Sequence, residues 1–326
     1  MPAPSTPAPI GVIANPASGR DIRRLVANAS TSTLNDKVTA VRRVLIGAAQ
    51  CGAARVVALG DAPRIVRRAA EGVELGHLVE ELVAPCHHDA RDTTAAARAM
   101  GEVGCAVVVV HGGDGTNRAV ALGWPSVPVI PISTGTNNAF PINVEPTLAG
   151  AAAGMLATGV VTLDEVGRTA RVVHLEIEDE GTDLAVVDAV LLRGGLVGSM
   201  MLFEPERLGA AVVARASSSS LGMCGLAGVL HPDDPAPASI EFGAGRAVAV
   251  PVAPGAFETV GVQRAAKLGL GELVEWTGPG VLAFDGERNR KLGDGQRAWL
   301  RVEQDGPIVI DVVRAVSLGA SRGAFG

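Results

Sequence analysis

The stretch CAVVVVHGGDGTNRAV, Cys105 to Val120, limits the fold more than any other part of the chain. An uncharged apolar run suits a strand buried on both faces, and the glycines after it end the strand. Helical spacing resumes behind them, so the segment reads as strand, glycine turn, then a helix starting near Thr116. The same alternation runs from Ile10 to about Pro141. IGVIAN (Ile10 to Asn15), RVVAL (Arg55 to Leu59), LVEELV (Leu78 to Val83), CAVVVV (Cys105 to Val110) and VPVIPI (Val127 to Ile132) are the strand candidates. Asp36 to Cys51, Pro63 to Glu71, Asp89 to Met100 and Thr116 to Leu122 are the helix candidates, with Asn35 or Asp36 and Asp89 or Asp92 as N-caps. Strands separated by helices predict a Rossmann-like parallel sheet covered on both faces.

After a linking helix at Ala151 to Ala157 the period changes to two. Arg171 to Glu178 and Leu184 to Leu192 read as strands flanking the turn DEGT, Val281 to Phe284 leads into DGER, and Gln296 to Glu303 with Ile308 to Val313 flank QDGP. The expected organisation is a disordered tail at 1–9, an α/β domain over 10–143, and an antiparallel β-sandwich over 144–326 whose C-terminal segment can return to the first domain. The 41 glycines and 20 prolines agree with so many turns.

Charge excludes several functions. With 28 Lys plus Arg against 34 Asp plus Glu the net charge is −6, which opposes nucleic acid and anionic membranes. No apolar run reaches the length of a spanning helix. The cysteines Cys51, Cys86, Cys105 and Cys224 are scattered, without a Cys-x-x-Cys, so a reducing cytoplasm fits better than a disulfide framework or a zinc ribbon. Lys37, Lys267 and Lys291 stand against 25 arginines, a bias from which no partner follows. Walker A, G-x-G-x-x-G, H-E-x-x-H, G-x-S-x-G and EF-hand patterns are absent, and the adjacent His87 and His88 are poorly placed to share a metal.

The chemistry concentrates at strand ends. The carboxyl ends of parallel strands and the amino ends of helices are where α/β proteins hold anions. Gly112, Gly113 and Gly115 remove the Cβ atoms that would keep a phosphate from backbone amides, and they allow positive φ. Asp114 among them would repel phosphate unless it holds Mg²⁺ or takes a proton; otherwise it is a turn former, as the Asp-Gly pairs at Asp285, Asp294 and Asp305 read. Further along, Thr134, Gly135, Thr136, Asn137 and Asn138 follow the fifth strand, while Asn15-Pro16 and Ser18-Gly19 follow the first. Three small polar loops at one sheet edge form a phosphate-binding rim.

These motifs together resemble the superfamily of NAD kinases and diacylglycerol-kinase-like enzymes. Its Asn-Pro-x-Ser-Gly, GGDG(T) and Gly-Thr-x-Asn loops are matched by Asn15 to Gly19, Gly112 to Thr116 and Gly135 to Asn138, and GVIANPASGRDIRRLVANAS is most similar to the ATP-NAD/AcoX kinases. The resemblance implies ATP and Mg²⁺ in a cleft between an α/β and a β-sandwich domain, and transfer of the γ-phosphate to a hydroxyl of a small metabolite. It implies Asp114 as Mg²⁺ organiser or base, nucleotide contacts at Asn15, Pro16, Ser18, Gly19, Gly112, Gly113, Gly115, Thr116, Thr134, Gly135, Thr136 and Asn138, and a homo-oligomer such as a dimer. NAD is the first acceptor to test.

The chain departs from the family pattern at the acceptor. The expected Asn-Glu/Asp pair is replaced by Asp188-Ala189, which makes Asp188 the acceptor-site candidate, and the Gly-Ser-Thr-Ala-Tyr segment finds only SSSSLGMCGLAGVLHP in a chain without tyrosine. The lipid-kinase loop has Ala139 at its second acidic position. FDGER resembles the Asp-Gly-Glu segment of those lipid kinases, which implies Glu287 as general base, against the plainer reading of an exposed hairpin charge. A non-catalytic nucleotide- or metabolite-binding regulator and a lipid-type kinase are the alternative functions.

Overall fold

The computed structural model describes residues 7–18, 32–61, 63–72, 78–82, 87–134, 138–194, 204–232 and 234–325. The β-branched runs of the first half become parallel strands β1 (Ile10–Ala14), β2 (Arg55–Leu59), β3 (Leu78–Leu82), β4 (Val107–Gly112) and β5 (Pro128–Ser133). They lie side by side in the order β3-β2-β1-β4-β5. Val12 of β1 faces Ala58 of β2 on one side and Val109 of β4 on the other. Strand order therefore reverses between β1 and β4, which opens a crevice beyond their carboxyl ends.

Four helices fill the connections: α1 (Leu34–Gln50), α2 (Ile65–Ala70), α3 (Ala90–Val103) and α4 (Asp114–Gly123). Asp89 caps α3 as expected, by accepting from the Arg91 N–H. Helix α1 starts earlier than Asn35 or Asp36, because Thr33 and Asp36 form a reciprocal capping box. Helix α4 also starts early, at Asp114 and not near Thr116, so the acidic residue of the glycine loop belongs to its first turn.

The segment read as a link between domains is instead part of α5 (Pro146–Ala157), almost wholly buried in the first core. It packs backbone to backbone on α1. A Cβ on Gly47 would collide with the Thr147 carbonyl, and one on Gly150 with that of Val44. Part of the glycine surplus thus serves helix contact. After α6 (Leu163–Val166) and β6 (Gly167–Thr169) the chain enters its second half.

That half contains β7 (Val172–Ile177), β8 (Gly181–Ala185), β9 (Asp188–Leu192), β10 (Leu208–Val213), α7 (Gly222–Leu230), β11 (Ala238–Ala253), β12 (Ala256–Lys267), β13 (Val274–Thr277), β14 (Gly280–Phe284), β15 (Glu287–Leu292) and β16 (Arg297–Glu303). They make two antiparallel sheets, β12-β11-β10-β9-β14-β15 and β13-β16-β7-β8. Leu175, Ile177, Leu282, Phe284, Leu300 and Val302 close the core between them.

Two strand readings differ from this outcome. Leu184 to Leu192 is not one strand: it breaks at Val186-Val187, leaving β8 in one sheet and β9 in the other. Nor does QDGP join a hairpin. Beyond it β17 (Ile308–Ile310) crosses to the first sheet, pairing parallel with β5 and antiparallel with β6, and α8 (Val312–Ser321) follows. Period two marks a strand without naming its sheet. Among the described residues no helix is long and apolar enough to cross a membrane.

Candidate functional site

Three of the sequence-derived loops meet at the crevice. Asn15, just past β1, donates from Nδ2 to Thr116 Oγ1 at 2.8 Å, while its Oδ1 accepts the Ala17 N–H at 2.8 Å. Ser18 Oγ closes the turn on the Asn15 carbonyl at 2.8 Å, and the Pro16 carbonyl faces inward to Lys37. The Asn15 turn is thus bonded across the switch point to the helix of the glycine loop.

That loop needs its glycines for space. Gly113, the N-cap of α4, has φ −99°, and neither it nor Gly112 adopts positive φ, contrary to the sequence expectation. A Cβ on Gly112 would stand 2.6 Å from Thr116 Cβ, and one on Gly113 2.9 Å from Asn138 Oδ1. Gly113 has no side chain with which to cap α4, and Gly115 lies in the first turn. From the β5 side, Asn138 donates to Ser133 Oγ at 2.9 Å and Thr134 is buried. Gly19, Gly135 and Thr136 lie outside the described residues.

Asp114 bridges two of these loops. Its carboxylate accepts the N–H of Ala139 at 3.1 Å and of Phe140 at 2.9 Å. Both partners pack against the second half's core, which also receives Ala121 of α4. One turn beyond Asp114, Arg118 donates to Asp183 at 2.6 Å and to the Leu184 carbonyl, and its guanidinium lies 5.3 Å from the centre of the Phe284 ring. Arg118 thereby fastens the glycine-loop helix to β8 and β14.

The residue the sequence misjudged is Asp285. Its backbone is the expected hairpin turn: Asp285 and Gly286 both have positive φ, at 51° and 83°. Its side chain, only 8% exposed, does something the dipeptide does not announce. It accepts the N–H groups of Val186 at 3.0 Å, Val187 at 2.7 Å and Asp188 at 3.2 Å. Val186 and Val187 form the break between β8 and β9 and Asp188 opens β9, so one carboxylate accepts all three amides of the corner. The faint signal was the valine pair before Asp188, an apolar run too long to stay in one sheet.

Three carboxyl groups consequently sense one another. Burial, with the Asp114 charge added, lifts Asp188 to about 7, though its surface is not wholly covered. Burial and the Asp188 charge raise Asp285 well above the usual carboxylate range, against the pull of its amide donors. Nearby, burial holds the Cys224 thiol neutral, helped by the same three acids. Glu287 opens β15 directly after the turn, paired with Phe284.

Comparison with known proteins identifies both halves of the chain. Residues 11–160 match the ATP-NAD kinase N-terminal domain, and residues 171–305 match the acetoin catabolism protein X C-terminal domain. Acetoin catabolism protein X of Cupriavidus necator is 34% identical over 329 residues, covering 93% of this chain and 90% of that protein. The crystal structure of yeast NADH kinase complexed with NADH superposes with a TM-score of 0.51 at 14% identity, over 96% of this chain and 87% of the other. That likeness is one of fold. The chain belongs to the acetoin catabolism protein X family, built on the NAD kinase fold.

Proposed function

We propose that this protein is an ATP-dependent kinase that phosphorylates a hydroxyl of a small metabolite, with NAD as the first acceptor to test. The observation that carries the reading is the meeting of an uncapped helix end at the strand-order reversal with a carboxyl group poised near neutrality, Asp188. The amides of Gly113 to Thr116 take the phosphates. Asn15 and Asn138 hold that loop in shape from either side. Among the described residues no three acidic, His or Cys side chains stand together as a metal cage. Mg²⁺ does not ask for one, since phosphate oxygens and one or two carboxylates hold it, and Asp114 is suited to be such a ligand. When bound, the ion neutralises charge on the transferred group.

A base works best with a proton affinity near the working pH, and Asp188 at about 7 has it. Glu287 is the other candidate for the acceptor proton, by its place after the Asp285-Gly286 turn. Calorimetry with ATP and NAD, then phosphorus NMR over a metabolite panel, tests the reading. Comparing Asp188→Asn with Glu287→Gln across pH assigns the base, because only loss of the true base removes the acid limb of the rate profile. One observation favours the regulatory alternative: Asp114 already spends its carboxylate on the Ala139 and Phe140 amides. ATP binding without product across the panel would decide for it.

A further inference from the structure

Lys37 has no exposed surface, an exceptional state for a lysine. It lies in the first part of α1, and its Nζ crosses to the turn after β1, donating to the carbonyl oxygens of Asn15 at 3.0 Å, Pro16 at 2.6 Å and Ser18. Three acceptors require three N–H donors, which only the protonated ammonium has. Burial, with the Lys37 charge added, lowers His111 at the end of β4 to about 4. His111 is 7% exposed, with Nδ1 buried and lacking a hydrogen-bond partner. The floor beneath the Asn15 turn is therefore polar and organised around a buried cation.

We infer that Lys37 is a tethered cation, seated in a ring of backbone carbonyls as a bound monovalent metal ion would be, and that it sets the shape of the Asn15–Ser18 turn. With the carbonyls drawn inward to the ammonium, the Asn15 side chain turns the other way, to Ala17 and Thr116. Lys37 is thus a positioning residue: it acts on the phosphate-facing edge through the turn and touches no substrate. The part of the inference that concerns ATP rests on the kinase reading; the part that concerns the turn does not.

Chemical rescue tests it on the full-length chain. Lys37→Ala deletes the side chain beyond Cβ, and n-propylammonium is the missing fragment, with n-propanol as its uncharged counterpart. Without additive, amide exchange at Asn15, Ala17 and Ser18 is expected to speed up about tenfold or more, and n-propylammonium to restore it where n-propanol does not. Lys37→Met, apolar and of similar length, is expected to behave like Lys37→Ala. ATP KM should rise about tenfold with kcat changed less than about threefold, as a positioning role requires. Rescue by n-propanol as good as by n-propylammonium, or normal exchange in Lys37→Met, overturns the inference, because the side chain would then only fill space. Should Lys37→Ala not fold, refolding with n-propylammonium alone succeeding supports it, and success with both additives or with neither overturns it. If wild-type protein binds no ATP the kinase reading falls, while the exchange result still decides the role of Lys37.

Discussion

Two backbone corners in this molecule are built on one plan with opposite signs. The turn after β1 turns three carbonyls toward the Lys37 ammonium, and the break between β8 and β9 turns three amides toward the Asp285 carboxylate. Each buried charge is solvated by the main chain in place of water. Their neighbours differ. Burial with the Lys37 charge lowers the proton affinity of His111, whereas burial with the Asp188 charge raises that of Asp285. The same device faces a neutral ring in the first case and further carboxyl groups in the second, so only the second is crowded by like charges.

The comparison can be broken most severely at Asp285. Asp285→Ala leaves three amides without their acceptor, and we expect a loss of about 4 kcal/mol in urea unfolding. A loss under about 1 kcal/mol would mean that the corner needs no anion. Next in size, Asp114→Asn should fold normally but turn over at least about 100-fold more slowly in a phosphoryl-transfer assay. Unchanged turnover there would end the kinase reading.

The electrostatic side is sharpened by pH. Asp188 is raised from 3.8 to about 7, so between those values the folded chain keeps a proton that the unfolded chain has released. Stability should therefore fall as pH rises through that window. Asp188→Asn should remove this slope, gaining about 2 kcal/mol at pH 8 relative to wild type in paired thermal melts. A parallel pH dependence in both proteins would show that Asp188 does not hold the extra proton. The smallest effect is steric: Gly113→Ala presses on Asn138 Oδ1 and should cost about 1 kcal/mol of stability, while raising ATP KM several-fold.

Much of this was legible beforehand. Continuous apolar runs marked β1, β2 and β5 to within a residue and β4 two residues too early, and glycine with small polar residues marked the ends where the loops gather. What stayed hidden depends on three-dimensional partners. Lys37 is one lysine in an ordinary helical stretch, and nothing local says that its tip ends among carbonyls 19 to 22 positions earlier. Asp285 sits in a dipeptide that also makes an ordinary hairpin, so its buried role was masked by a correct turn assignment. Arg118 reads as a solvated helix charge until Asp183 arrives 65 positions later. Long-range electrostatic pairings leave no periodicity to read.

The placement of β17 has a consequence for how the protein is made. The sheet that carries the glycine loops is extended by residues 308–310, which leave the ribosome only after both antiparallel sheets have emerged. The N-terminal sheet must therefore wait, with the β5 edge uncovered, while the intervening sandwich is synthesised between its two portions. Assembly ends with a far-separated strand docking, a high-contact-order step that favours slow folding and gives chaperones a defined edge to guard.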